Sequence, residues 1–146
     1  MARVCTSLNF AKETEEAFLF YQSVFGGEFT RGGIGRYSDI PASAGMPPVT
    51  KELMNLVMHV ELPILGNHLL MGSDAPPEMG FTVNRGNNVQ IVLEPDSKAE
   101  TERLFNALSE GGVVTMNLQD AFWGSYFGTC TDRFGTMWMF NFTEKQ

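Results

Sequence analysis

The chain has 146 residues, of which 43% are apolar and 18% charged, a balance that fits one folded domain and excludes a disordered chain. Ten Lys and Arg against seventeen Asp and Glu leave a net charge of −7, which argues against nucleic-acid binding and against docking on an anionic membrane surface. Nine Met, twelve Phe and fifteen Gly point to an adaptable core or to an apolar pocket. The first residues, MARVCTSLNFAKETEE, carry no long apolar run before their charges, so no signal peptide is expected. No stretch approaches the roughly 20 apolar residues of a membrane helix. Two cysteines, Cys5 and Cys130, form no CxxC pair and read as reduced thiols of a cytoplasmic protein.

In chain order, the first predicted elements are a strand over Arg3 to Phe10 and a helix over Glu13 to Phe25. The helix carries an apolar stripe at Ala17, Phe20, Tyr21 and Val24 and ends at Gly26-Gly27, which suit a C-cap with positive φ. A strand over Glu28 to Tyr37 follows, with Gly32-Gly33-Ile34-Gly35 as a bulge or sharp bend that curves the sheet. Ser38 to Pro48, with Pro41, Gly45, Pro47 and Pro48, reads as a loop: a lid, a dimer contact or a surface excursion. Next come strands over Met54 to Leu62 and His68 to Gly72, then a linker over Ser73 to Gly86. His68, after the Leu65-Gly66-Asn67 turn, reads as a solvated loop-edge residue.

The pattern then repeats. A strand over Asn88 to Glu94 leads to a helix over Lys98 to Glu110, opened by the capping box Ser97-Lys98-Ala99-Glu100 and closed by Gly111-Gly112. Its stripe at Thr101, Leu104, Phe105 and Leu108 repeats the first one 84 residues later, from Ala17 to Thr101. Strands over Val113 to Gln119, Tyr126 to Thr131 and Thr136 to Phe142 complete the second copy. The expected organisation is a single α+β domain, 1–146, of two βαβββ modules at about 1–75 and 87–146.

Two such halves resemble the vicinal oxygen chelate superfamily (the glyoxalase/bleomycin-resistance/dioxygenase fold) when joined to the late motif Gln119-Asp120-x-Phe122-Trp123-Gly124, Phe127-Gly128 and Asp132-x-Phe134-Gly135-x-x-Trp138. Leu8-Asn9-Phe10, Phe20-Tyr21 and Leu70-Met71-Gly72-Ser73-Asp74 extend the likeness over nearly the whole chain, nearest to the PhnB-like branch labelled 3-demethylubiquinone-9 3-methyltransferase-like. The resemblance implies curved sheets with helices on the convex side, a concave cleft and a homodimer. It also places the ligands of metal-using members near Thr6, Met71, Gln90 and Met139. Thioethers and a neutral amide are poor partners for hard divalent ions, so no metal and no cofactor is expected. The glycine cluster, lying in a predicted strand and lacking GK[ST], gives no nucleotide loop for a methyltransferase.

Candidate site residues follow from period two. In Asn55 to Leu62 the set Leu56, Met58, Val60 and Leu62 should lie under the helices, leaving Asn55, Val57, His59 and Glu61 toward the cleft or solvent. His59 is a candidate general acid or base oriented by Glu61, or else an exposed or interface histidine on a half-polar strand. Gln90 and Gln119 suit ligand orientation or core hydrogen bonds. Trp123 and Tyr126, with Phe122 and Phe127 around Gly124, suit a stacking platform or a core or dimer-interface plug. Met71 and Met139 would line a dry pocket, Asp120 is either a general base at the cleft rim or a turn residue, and Asp132 reads as a turn residue and Trp138 as core. The expected function is metal-independent binding of a partly apolar or aromatic small molecule, with turnover left open. Two alternatives stand beside it: a metal-dependent isomerase, lyase or dioxygenase with unconventional ligands such as His59 and Glu61, and an interaction module with a vestigial cleft.

Overall fold

The computed structural model describes residues 2–41 and 50–144. The chain divides into two compact units, one running to Asn84 and the other from Arg85. Most of the predicted loop falls at 42–49, outside the described residues; at its start Tyr37–Asp39 forms a 3-10 turn.

The first unit contains β1 (Thr6–Phe10), α1 (Thr14–Phe25), β2 (Gly35–Arg36), β3 (Val57–Pro63) and β4 (Leu69–Asp74). Its sheet runs β1-β4-β3-β2, with β1 parallel to β4 and the other pairs antiparallel. α1 packs on β3 and β4, burying Ala17, Phe18, Tyr21 and Val24. Phe18 therefore holds the core place expected for Phe20, meeting Tyr21 edge to face at 5.5 Å. The helix has no side-chain cap from Glu13; the Thr14 N–H donates instead to the Asp74 carboxylate at 3.0 Å. This joins the start of the helix to the end of the last strand.

Gly72 shows how closely they approach. A Cβ there would run into the Phe18 ring and sit 3.0 Å from Thr14 Cγ2. Gly72→Ala is expected to destabilise the protein by about 1–3 kcal/mol through overpacking, as urea unfolding would register.

The second unit contains β5 (Ile91–Leu93), α2 (Lys98–Ser109), β6 (Val113–Asp120), β7 (Tyr126–Thr131) and β8 (Met137–Phe142), in the order β5-β8-β7-β6. The same βαβββ succession thus occurs twice. α2 buries the expected Thr101, Leu104, Phe105 and Leu108, and Phe105 meets Phe140 edge to face at 5.2 Å. Ser97 Oγ accepts from the Glu100 N–H at 3.0 Å, but the Glu100 carboxylate pairs with Arg103, so half of the capping box forms. Gly111 has φ +76°, whereas Gly112 is required for space: a Cβ would collide with the Thr131 carbonyl.

Three other expectations need correction. The strand over Glu28 to Tyr37 shrinks to Gly35–Arg36, because Gly32 and Gly33 turn through positive φ and the Gly33 N–H closes on the Thr30 carbonyl. In β3 the register against β2 shifts between Gly35 and Arg36, so strict alternation fails: Val57 is buried and Met58 exposed. His68 is not simply solvated, since its Nε2 lies 2.8 Å from Thr6 Oγ1.

Candidate functional site

Pairing register defines which side chains share a sheet face. In the first sheet the Cβ direction of Gly72 meets Phe18, so Gly72 and its partners Val60 and Leu8 face α1. Ser7, Glu61 and Met71, in register with one another, therefore stand on the face opposite the helix. Asn9 and Ser73 share it and bond at 2.9 Å.

On that face His59 and Glu61 meet as the i, i+2 spacing predicts: His59 Nε2 lies 2.9 Å from Glu61 Oε2. Thr30 Oγ1 donates to Glu61 Oε1 at 2.9 Å, and the Thr30 N–H donates to the Glu61 carbonyl at 3.0 Å. Arg31 Nε stands 3.5 Å from Oε2. These groups cover the carboxylate, so Glu61 is buried rather than open to cleft or solvent, while the His59 ring stays about two-fifths exposed at 41%. The hydrogen bond from His59 outweighs burial and, with Thr30 and Arg31, holds the Glu61 carboxyl below the usual carboxylate range. A carboxyl depressed in the folded state adds stability above its unfolded pKa and loses it as pH falls. Stability should therefore decline from about pH 5 toward pH 3, and Glu61→Gln should flatten that acid limb in urea titrations. An unchanged limb would refute the assignment.

In the second sheet Trp138 and Phe140 are buried against α2, so Met139 and Asn141 face away from it. Register adds Gln119 and Phe127 in line with Asn141, and Thr129 and Val92 in line with Met139. Trp123 packs on Phe127 edge to face at 5.4 Å. Asn141 Nδ2 donates to Glu94 Oε2 at 3.0 Å, and both residues line an open groove of about 630 Å³ that reaches Ser97 and Lys98. Gln119, Trp123 and Met139 are thus brought to one face.

The remaining candidates are not. Tyr126 lies on the opposite face, its hydroxyl donating to Glu102 of α2 at 3.0 Å beneath Lys98 Nζ, 4.6 Å from the ring centre. Burial and the Glu102 carboxylate push its phenol up. Gln90 sits exposed ahead of β5, outside the ladder, and Met71 belongs to the first sheet. Sequence reasoning missed Glu94, although Leu93 inward and Glu94 outward is simple alternation. It also missed Thr30 and Arg31, whose contacts with β3 leave no local signal.

The places implied for metal ligands do not fit a divalent ion. Ser7, not Thr6, shares a face with Met71, and Val92 rather than Gln90 pairs with Met139. A hydroxyl, two thioethers and a hydrocarbon offer neither imidazole nor carboxylate. Among the described residues no three His, Cys, Asp or Glu side chains converge, and the residues outside that set contain none of these types. Cys130 is buried and its thiol is pushed up to about 12, chiefly by desolvation.

A family model described as 3-demethylubiquinone-9 3-methyltransferase matches residues 2–140. Protein PA1353 from Pseudomonas aeruginosa is 36% identical, with 99% of this chain and 100% of that chain covered and a TM-score of 0.83. A PhnB protein from Bacillus cereus is 23% identical, covering 97% and 100%, with a TM-score of 0.72. A glyoxalase/bleomycin resistance protein/dioxygenase family enzyme from Burkholderia phytofirmans PsJN is 14% identical, covering 95% and 98%, with a TM-score of 0.62.

Proposed function

The chain belongs to the 3-demethylubiquinone-9 3-methyltransferase family, a PhnB-like branch with the vicinal oxygen chelate fold, and on that premise we propose that it binds a small, partly aromatic molecule without a metal. One observation carries this reading: Trp123, Phe127, Gln119, Asn141 and Glu94 lie together on the helix-free side of the second sheet. Aromatic faces supply apolar contact area, and the amides and the carboxylate supply orientation. Gly32-Gly33-Ile34-Gly35 leads into β2 rather than a helix, so it forms no phosphate cradle at a helix N-terminus. Among the described residues no helix is long and apolar enough to cross a membrane.

The test is a thermal-shift screen with planar phenols, aromatic amines and aromatic acids, read beside Trp fluorescence. A shift of several degrees is expected from at least one class, and Trp123→Ala should abolish it while leaving the unliganded protein within about 1 kcal/mol. No shift from any class at millimolar concentration, or one tightly held divalent ion per purified chain, would overturn the proposal. A homodimer is proposed as well, because edge strand β6 leaves Val113, Val114 and Met116 exposed. A monomer in sedimentation at micromolar concentration would refute that.

A further inference from the structure

The contacts around Glu61 fix more than the position of a side chain. An ionised carboxylate has no proton to give, and this one accepts from Thr30 Oγ1 and lies within ion-pair reach of Arg31. The proton shared across the 2.9 Å contact with His59 therefore belongs to Nε2. In the neutral ring the lone pair is then on Nδ1. That nitrogen has no hydrogen-bond partner among the described residues. Ser7, Asn9, Met71 and Ser73, on the same helix-free face, are uncharged, whereas Glu61 and Arg31 are the charges beside the ring.

We propose that His59 accepts a proton through Nδ1 from a neutral acidic ligand, with Glu61 as its orienting counter-charge and Thr30 and Arg31 as positioning residues. The ligand is a weak acid, with an O–H or a C–H beside a carbonyl. The bond to hydrogen breaks, its electron pair stays on the ligand, and the proton forms a new N–H bond at Nδ1. The imidazolium that results is paired with Glu61, and returning the proton to the ligand or to water restores the neutral ring without any co-reactant. This inference stands on the first sheet alone, so loss of ligand binding at Trp123 would leave it intact.

The chain's two histidines make the test direct. Long-range ¹H–¹⁵N correlation spectra of the labelled full chain, assigned with His59→Gln, should show the neutral His59 ring protonated at Nε2. A ring protonated at Nδ1 overturns the proposal, whether or not any variant folds. Carbethoxylation by diethyl pyrocarbonate, mapped by mass spectrometry with His68 as internal reference, reads how readily the free nitrogen attacks. Modification of His59 should slow about 3- to 10-fold in Glu61→Gln, where the charge on the far nitrogen is lost. It should also slow in Thr30→Val and recover in Thr30→Ser. Equal rates in all four proteins would remove Glu61 and Thr30 from any role at His59.

Discussion

Replacing Asp74 with Ala is expected to cost about 2–5 kcal/mol, because it strips two buried backbone N–H groups of their acceptor at once. Asp74 is 2% exposed, and its carboxylate accepts from the Thr14 N–H at 3.0 Å and the Val57 N–H at 2.8 Å. The first donor is an orphan of the α1 N-terminus, where negative charge also meets the positive end of the helix dipole. The second lies at the start of β3, where the ladder to β4 has not yet begun. Around the same residue the Tyr37 hydroxyl donates to the Asp74 carbonyl and the Ala75 N–H to the Phe10 carbonyl, both at 2.7 Å. One carboxylate thus ties helix, strand and turn together within a single unit. Asp74→Asn keeps one acceptor oxygen and sets an NH₂ against the other donor, so it should fall between wild type and Ala. Urea unfolding gives the order, and hydrogen exchange should quicken at Thr14 and Val57 while the amides of β7 and β8 stay protected. A loss below about 1 kcal/mol for the Ala variant would mean that water replaces the carboxylate.

The same residue shows what local sequence can and cannot convey. Leu70-Met71-Gly72-Ser73-Asp74 stood out as part of a family motif, yet nothing in its spacing says that Asp74 caps a helix begun 60 residues earlier. Second-unit elements were easier to read: β7 matches its expected limits, and the stripe of α2 is buried residue for residue. α2 has a regular period and its own start signal at Ser97, whereas the strand expected over Asn88 to Glu94 forms only over Ile91–Leu93 and β6 shifts register twice. The first unit departs where partners far along the chain intervene. The bulge opposite Gly35 reverses Val57 and Met58, although His59 and Glu61, beyond it, keep their shared face. That pairing was legible because residues two apart on a strand must lie on one side. Thr30 was not, since its place against Glu61 depends on how a turn of positive-φ glycines crosses β3. Tyr126 differs for another reason: aromatic density near Gly124 suggests a shared platform, but strand alternation with buried Gly128 and Cys130 puts it under α2.

The largest effect in the second unit is expected at Asp132. Its Oδ1 accepts from the Phe134 N–H at 2.8 Å and the Thr136 N–H at 3.1 Å, and its Oδ2 from Trp138 Nε1 at 2.9 Å. The turn that the spacing Asp132 to Gly135 foretold is closed by backbone bonds from Gly135 N–H to the Asp132 carbonyl and from Asp132 N–H to the Thr136 carbonyl. What spacing did not foretell is that the turn also holds the indole of the largest fully buried side chain. Asp132→Ala should therefore lower stability by about 3–5 kcal/mol, more than a turn residue alone would cost. Asp132→Asn separates the two roles. Its remaining oxygen can serve Phe134 and Thr136, but its NH₂ then faces the indole N–H, donor against donor. Trp138→Phe removes that N–H, so the cost of Asp132→Asn should shrink by about 1–2 kcal/mol in the Phe background. Additive costs in this double-mutant cycle would mean that the Asp132–Trp138 bond contributes nothing beyond packing.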